Sequence, residues 1–360
     1  MKLKELGIIV TGNTPSKQSV ENWDSPDIGF VKPDIISDTG ISIIDDAAEY
    51  ISEKARAKAR IVGENSILIT CIGRIGKIGI TAKGTFAFNQ QINAIIPNRK
   101  VNSKYLAYAL LYAKPRLVAI ANAPVVPIIN KSQFGDFEIK VTENTEDQSK
   151  AVEVLDTVNA IIENRRQQLQ KLDELVKARF VEMFGGIHDS SLYPYVPVKE
   201  LTHVISGGTP SRDVLEYWRD GTIPWVKTTE LQNKIITEVD EHITSKGLAA
   251  SSAKIVPPNT TLIAMYGQGK TRGMTGYLGI SASTNQACAC ILPSPEINSV
   301  YIWKYFELSY DKLRNMAKGG NQPNLNGNMI KNFPVLVPPI KRQEEYVQFV
   351  NQVDKSKVVA

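Results

Sequence analysis

The chain repeats itself, and this constrains its fold more than any other feature. Lys4-Glu5-Leu6 returns as Lys199-Glu200-Leu201, and Thr11-Gly12-Asn13-Thr14-Pro15-Ser16 returns as Ser206-Gly207-Gly208-Thr209-Pro210-Ser211. Trp23 returns as Trp218, and Phe30-Val31-Lys32 as Trp225-Val226-Lys227, all at one offset of 195 residues. Further along, the register drifts by only a residue or three. Ile61-Val62 matches Ile255-Val256, Asn65-Ser66 matches Asn259-Thr260, and Gly73 matches Gly267. Asn89-Gln90 matches Asn285-Gln286, and Phe137 matches Phe333. One shared Gly-Thr-Pro would be noise, but a collinear series is a duplication, with a period far too long for a solenoid.

Each repeat reads as mixed α/β. Ile67 to Ile72 and Thr261 to Met265 are short apolar strands between glycine-rich turns, and Ser103 to Tyr112 and Ser299 to Leu308 are short amphipathic helices. Between the repeats the texture changes: Glu146 to Phe184 contains no Gly or Pro. Leu155, Val158, Ile162, Leu169, Leu172, Val176 and Met183 fall at alternating spacings of three and four, with Arg165 and Arg179 in the two remaining seam positions. That is a heptad seam, on a helix on the order of 55 Å long at 1.5 Å per residue, ending naturally at Gly185-Gly186. A shorter copy follows the second repeat, where Gln343, Tyr346, Val350 and Val353 match Gln148, Ala151, Leu155 and Val158. The expected class is α+β: two homologous mixed α/β domains separated by long antiparallel coiled-coil helices. The expected boundaries are 1–145, 146–186, 187–340 and 341–360. The shorter helix would leave part of the seam for another chain, since an apolar stripe of that length must be covered.

At 360 residues, with 42% hydrophobic and 22% charged residues, the chain has room for two ordinary domains and no compositional signature of disorder. A net charge of +5 permits a nucleic-acid partner without requiring one. Cys71, Cys288 and Cys290 show no zinc-like spacing with the three histidines and read as buried thiols of a reducing compartment. No apolar run approaches the ~20 residues of a membrane span. Glu5 stands where a signal peptide would be apolar, so a cytoplasmic location is expected.

Catalytic motifs are missing. Ala264-Met265-Tyr266-Gly267-Gln268-Gly269-Lys270-Thr271 fits a relaxed P-loop, but Arg272-Gly273-Met274-Thr275-Gly276 is a poor helix start, and the matching loop of the first repeat lacks the Ser/Thr that would hold Mg²⁺. Asp136 with Glu138-Ile139-Lys140 resembles a nuclease metal motif only faintly, and its counterpart Asn332 to Leu336 has no acid. No metal site, nucleophile elbow or dinucleotide fingerprint is present.

The repeats do share loops of small polar and cationic residues. Thr14, Ser16 and Lys17, matched by Thr209, Ser211 and Arg212, offer hydroxyls, amides and a cation suited to phosphate, although a plain turn would explain them equally. Gly73-Arg74-Ile75-Gly76-Lys77 and Gly267-Gln268-Gly269-Lys270-Thr271-Arg272 are stronger candidates. Glycine lets backbone approach a ligand, and Arg74, Lys77, Gln268, Lys270 and Arg272 can address base edges or phosphates. Lys32 and Lys227 share one place but precede different residues, and Asn321 and Gln322 lie in a polar loop able to reach bases. Trp23 and Trp218 read as packing residues.

The chain resembles the specificity subunits of type I restriction-modification systems over nearly its whole length. The resemblance rests on the Thr-Gly-x-Thr-Pro-Ser starts, the stretch Ile223-Pro224-Trp225-Val226-Lys227, and the spacer from Gln148 to Gly185 with Gln167, Leu169, Lys171, Leu172, Asp173, Glu174 and Leu175. It implies two target recognition domains, each reading one part of a split site in double-stranded DNA. It also implies helices, carrying Leu155, Val158, Ile162, Leu169, Leu172, Val176, Val350 and Val353, that pair antiparallel and dock methyltransferase subunits. Restriction subunits would join that core. S-adenosylmethionine, ATP and Mg²⁺ would then sit on the partners, with no cofactor on this chain and no catalysis of its own. The terminal helix departs from the pattern in being about half as long as the central one. The alternatives are a methylation-only or fused system, a P-loop ATPase, and a coiled-coil scaffold with sugar- or peptide-binding domains.

Overall fold

The computed structural model describes residues 1–121, 126–267, 269–317 and 324–359. It divides into two compact units, Met1–Asn164 and Arg165–Ala360.

The first unit opens with a short helix, α1 (Leu3–Leu6), and builds a five-stranded sheet. Its order is β1 (Gly7–Thr11), β9 (Ile92–Pro97), β6 (Ile67–Thr70), β7 (Ile78–Thr81) and β3 (Ile41–Ile44). The first three pairings are antiparallel and the last, β7 with β3, is parallel. A four-stranded sheet has the order β4 (Glu49–Ile51), β2 (Ile28–Val31), β8 (Phe86–Phe88), β5 (Ile61–Val62). Strand β6 is buried at every position, which is why it reads as an apolar run and not as an alternating one. Helices α2 (Ser103–Ala119) and α3 (Lys131–Asp136) follow, and Leu106, Leu110, Leu117 and Phe134 join the sheet's core. Helix α2 runs beyond the expected Tyr112, through Pro115, because Ala113 and Leu117 continue its buried face.

The second unit repeats this topology. The order β11 (Val204–Ser206), β18 (Cys288–Ile291), β15 (Thr261–Ala264), β16 (Thr275–Leu278), β13 (Lys234–Ile236) again has three antiparallel pairings and a parallel last one. Beside it stand β14 (His242–Ile243), β12 (Ile223–Val226) and β17 (Ser283–Thr284), joined like β4, β2 and β8. A two-stranded ribbon pairs β10 (Tyr195–Pro197) with β19 (Pro334–Leu336). Asn65 and Asn259 hold the same left-handed turn, at φ +64° and +67°, before β6 and β15. A side chain at Gly12 would strike the carbonyl oxygens of Phe88 and Asn89, and one at Gly207 those of Thr284 and Asn285. The shared glycines therefore follow from close backbone approach. All three cysteines are buried and unpaired.

One helix, α4 (Thr145–Phe184), passes from the first unit into the second. The second unit adds helices α5 (Val198–Leu201), α6 (Ser245–Ala249), α7 (Ser299–Leu308), α8 (Tyr310–Met316), α9 (Gly327–Lys331) and α10 (Ile340–Val359). Helix α10 lies antiparallel to the C-terminal part of α4: Lys357 pairs with Asp173 at 2.7 Å, while Tyr346 donates to the Val176 carbonyl at 3.4 Å and Phe349 lies under Arg179. Phe180, Phe184, Tyr301, Tyr305 and Tyr346 form the aromatic centre of this core. The heptad register puts Arg179 in the seam and leaves out Phe180 and Phe184; the structure keeps Arg179 half-buried over Phe349 of α10 and buries both phenylalanines. Arg179 also pairs with Glu182. The seam governs only as far as α10 alone faces α4. Beyond it α7 also faces α4, and the buried face widens.

The first turn of each long helix carries a buried glutamine that binds the N-cap residue of an earlier helix, α2 or α7. Gln148 accepts from the Asn102 amide at 2.7 Å and donates to the Lys100 and Thr142 carbonyls at 2.9 and 2.8 Å. Gln343 accepts from the Asn298 amide at 2.9 Å and donates to the Pro338 carbonyl at 2.7 Å. Asn102 and Asn298 are the N-caps of α2 and α7. Gln148→Ala is expected to destabilise the chain by about 1–3 kcal/mol, the cost of buried polar groups left without partners, read as a lower urea midpoint. An unchanged midpoint would mean that water reaches these groups.

Candidate functional site

In both units the Thr-Pro-Ser loop is anchored in the same way. Trp23 donates its indole N–H to the Ser16 carbonyl at 3.2 Å, and Trp218 donates to the Ser211 carbonyl at 2.9 Å. Thr14 bonds Gln90 and Thr209 bonds Gln286. Each tryptophan meets the next aromatic edge-on, Trp23 with Phe30 at 5.2 Å and Trp218 with Trp225 at 5.0 Å. The loop's cation lies over its tryptophan: the Lys17 ammonium is 5.1 Å from the Trp23 ring, and the Arg212 guanidinium is 3.7 Å from the Trp218 ring. The tryptophans are thus half-buried supports, as the repeat suggested. Ser16 and Ser211 remain exposed.

A carboxylate then joins two cations in each unit. Glu49 pairs with Lys17 and Lys32, and Glu241 pairs with Arg212 and Lys227. The Lys32 contact holds the Glu49 carboxyl below its ordinary value, with help from Lys17. Burial raises the Glu241 carboxyl, but Arg212 and Lys227 outweigh it and the net shift is downward. Glu241 in turn raises the Lys227 ammonium. The two acids stand at nearly the repeat offset, Glu49 to Glu241. That register was the one signal that could have linked them to the cations, since nothing local does.

The glycine loops between β6 and β7 and between β15 and β16 are built differently. In the first, Gly73 and Gly76 are left-handed, at φ +76° and +80°. Arg74 is exposed, its guanidinium 2.6 Å from Asp38. Burial raises the Asp38 carboxyl, and Arg74 and Lys77 more than offset this, leaving it lowered. Lys77 requires a correction. Its side chain is only 10% exposed, and its ammonium donates to the Pro33 and Ile36 carbonyls at 3.0 and 2.8 Å. A cation enclosed in this way fastens the turn after β2 and has no donor to offer a duplex.

In the second loop, Gly267, Gly269 and Gly273 are left-handed and Lys270 is exposed. Arg272 is half-buried. The loop feeds β16 instead of a helix, so the phosphate-holding helix end of a P-loop is missing. Gln268, Asn321 and Gln322 lie outside the described residues. Among the described residues no group of His, Cys, Asp or Glu could hold a metal ion, and no helix is long and apolar enough to cross a membrane.

The seam of α4 is covered only in part. Val176 and Met183 are buried, Leu172 packs against the second unit's core, and Val350 and Val353 of α10 join it. Leu155, Val158, Ile162 and Leu169 are 38%, 46%, 43% and 37% exposed. In the first unit, Tyr105, Tyr108 and Tyr112 of α2 line a groove with Leu155, and Tyr112 is almost wholly exposed.

The family described as "Type I restriction modification DNA specificity domain" matches residues 1–174 and 192–358. The chain is similar to the type I restriction enzyme MjaIX specificity subunit of Methanocaldococcus jannaschii, 25% identical over 94% of this chain and 82% of that one. It is also similar to the HindI specificity subunit of Haemophilus influenzae, 29% identical over 50% of this chain and 40% of that one. Among solved structures, the type I restriction-modification S subunit from M. genitalium shares the fold, with a TM-score of 0.55 at 14% identity, over 99% of this chain and 89% of that one.

Proposed function

The chain belongs to the type I restriction modification DNA specificity family, and from that premise we propose that it reads a bipartite site in double-stranded DNA for a methyltransferase. Each unit reads one half, and the chain performs no chemistry of its own. One observation carries this reading. The two units share strand order, turn and anchored loop, yet their glycine loops present different side chains at the same place. Two scaffolds of one design with unlike loops suit two different half-sites.

In this reading, backbone phosphates meet Thr14, Ser16, Lys17 and Lys32 in one unit and Thr209, Ser211, Arg212 and Lys227 in the other. Because Glu49 and Glu241 already neutralise those cations in part, their contribution to non-specific affinity is modest, which favours base readout over indiscriminate phosphate binding. Arg74 in the first unit, and Gln268, Lys270 and Arg272 in the second, address base edges. Asn321 and Gln322 would add to the second set. The exposed residues Leu155, Val158, Ile162 and Leu169, together with the tyrosine groove, receive methyltransferase subunits. Those subunits carry S-adenosylmethionine. In a restricting system, further subunits carry ATP and Mg²⁺. The assembly works in the cytoplasm.

The test is to map N6-methyladenine across the genome of a host making the cognate methyltransferase subunit, with and without this chain. A split motif methylated only in its presence is expected; an unchanged map would overturn the reading. In the same assay Arg74→Ala is expected to relax one half-site and leave the other intact. A base-specific contact contributes about 1–3 kcal/mol of discrimination, or about fivefold to about 150-fold. A uniform loss at both halves would make Arg74 a phosphate contact.

A further inference from the structure

Three carbonyl groups of the loop between β15 and β16 accept hydrogen bonds from side chains of helix α8. Arg314 donates from one guanidinium nitrogen to the Gly269 carbonyl at 2.8 Å and to the Arg272 carbonyl at 3.1 Å. Tyr310 donates its hydroxyl to the Lys270 carbonyl at 2.7 Å, and Arg314 in turn bonds the Tyr310 oxygen at 3.1 Å. Gly273, at φ +85°, lies against both side chains. With glycine at 267, 269 and 273, the loop has little conformational preference of its own, and ordering it costs more entropy than ordering an ordinary loop. Its exposed Lys270 contributes no apolar anchor. Helix α8 therefore adds side-chain anchors for three carbonyls to the loop's own backbone bonds, in which the Gly273 amide donates to the Ala264 carbonyl at 2.9 Å and the Met274 amide to the Thr271 carbonyl at 3.0 Å.

Among the described residues of the first unit, no side chain of α2 donates to the carbonyls of the matching loop. Its loop is held by the bridge between Ile72 and Ile128 and by the Gly73 amide donating to the Pro127 carbonyl at 3.0 Å. At the register that aligns Ser299 with Ser103, Tyr310 falls on Lys114 and Arg314 on Val118, which is exposed. Lys114 donates to the Asp38 carbonyl instead.

We infer that Arg314 and Tyr310 are positioning residues for base readout by the second unit alone. They hold the Gly269, Lys270 and Arg272 carbonyls, and so fix the backbone from which the exposed Lys270 side chain leaves the loop. This rests on the proposed reading of that loop as a base-contacting element. A positioned side chain discriminates bases, whereas a wandering one keeps its charge but loses its geometry.

The experiment uses the full chain assembled with its methyltransferase subunit. Binding is measured to duplexes carrying the methylated motif, and to duplexes with one base changed in either half. Arg314→Met is expected to cut discrimination at one half-site on the order of tenfold, within the range of a base-specific contact. The other half-site and the affinity for unrelated DNA should be unchanged. Tyr310→Phe should give a smaller loss at the same half, and Arg314→Lys a partial rescue. Lys270→Ala serves as the loop control, and thermal melting reports the fold. Equal losses at both halves, or losses that follow the melting temperature and not the half-site, would overturn the inference. If Lys270→Ala alters one half-site and Arg314→Met alters neither, the inference fails and the reading of the loop stands. If neither variant alters any half-site, the reading fails and the inference falls with it.

Discussion

Replacing Val158 and Ile162 together by glutamate is expected to abolish capture of the methyltransferase subunit while leaving the chain's melting temperature unchanged. Both side chains belong to the heptad seam of α4, and both are more than 40% exposed in the chain alone. Nothing in the isolated chain depends on their burial, so the fold should tolerate charge there. In a complex they would be covered, and a carboxylate forced into an apolar interface goes unpaired. Hot-spot residues at the centre of an interface cost about 2 kcal/mol or more each when lost, so losing two would weaken binding about a thousandfold. The readouts are co-elution of the two proteins on size exclusion and a melting curve of the chain alone. Normal co-elution of the double variant would mean that the methyltransferase docks elsewhere. Leu172 is a poorer probe despite its place in the same seam, because it packs against the second unit's core and a charge there would disturb the fold as well.

Phe180→Ala should have the largest effect on stability. The ring is fully buried and touches four others: Phe184 at 5.0 Å, Tyr346 at 5.5 Å, Tyr305 at 5.9 Å and Tyr301 at 6.1 Å between centroids. These come from α4, α7 and α10, so the cavity would open where three helices meet. Truncating a buried phenylalanine costs about 3–5 kcal/mol, and for a unit of this size that lowers the melting temperature on the order of 10 °C. Calorimetry should place the loss in the second unit, and limited proteolysis should show α10 released first. A drop of only a degree or two would mean that the neighbouring rings close over the gap.

The duplication, the order of elements and the long helix could all be read from residue order, because each is a collinear or periodic property. The offset from Lys4 to Lys199 survives whatever the chain folds into, and the three-four spacing from Leu155 to Met183 specifies a helical face without knowledge of its partner. Which cations face outward could not be read in this way. Lys77 and Arg74 stand three residues apart in one glycine loop, yet the ammonium is sealed under the Pro33 and Ile36 carbonyls and the guanidinium is exposed beside Asp38. Their fates depend on how β7 pairs with β3, a contact between segments far apart in the chain. The same holds for Glu49 and Glu241, which reach their cations only through β4 on β2 and through the turn leading into β14 beside β12. It holds for Arg314, which meets the Gly269 carbonyl across 45 residues. It holds also for Phe180, whose burial needs α7 and α10 in place around α4. Periodicity specifies which face of an element is apolar, but only strand pairing and helix packing determine which polar groups are left facing solvent.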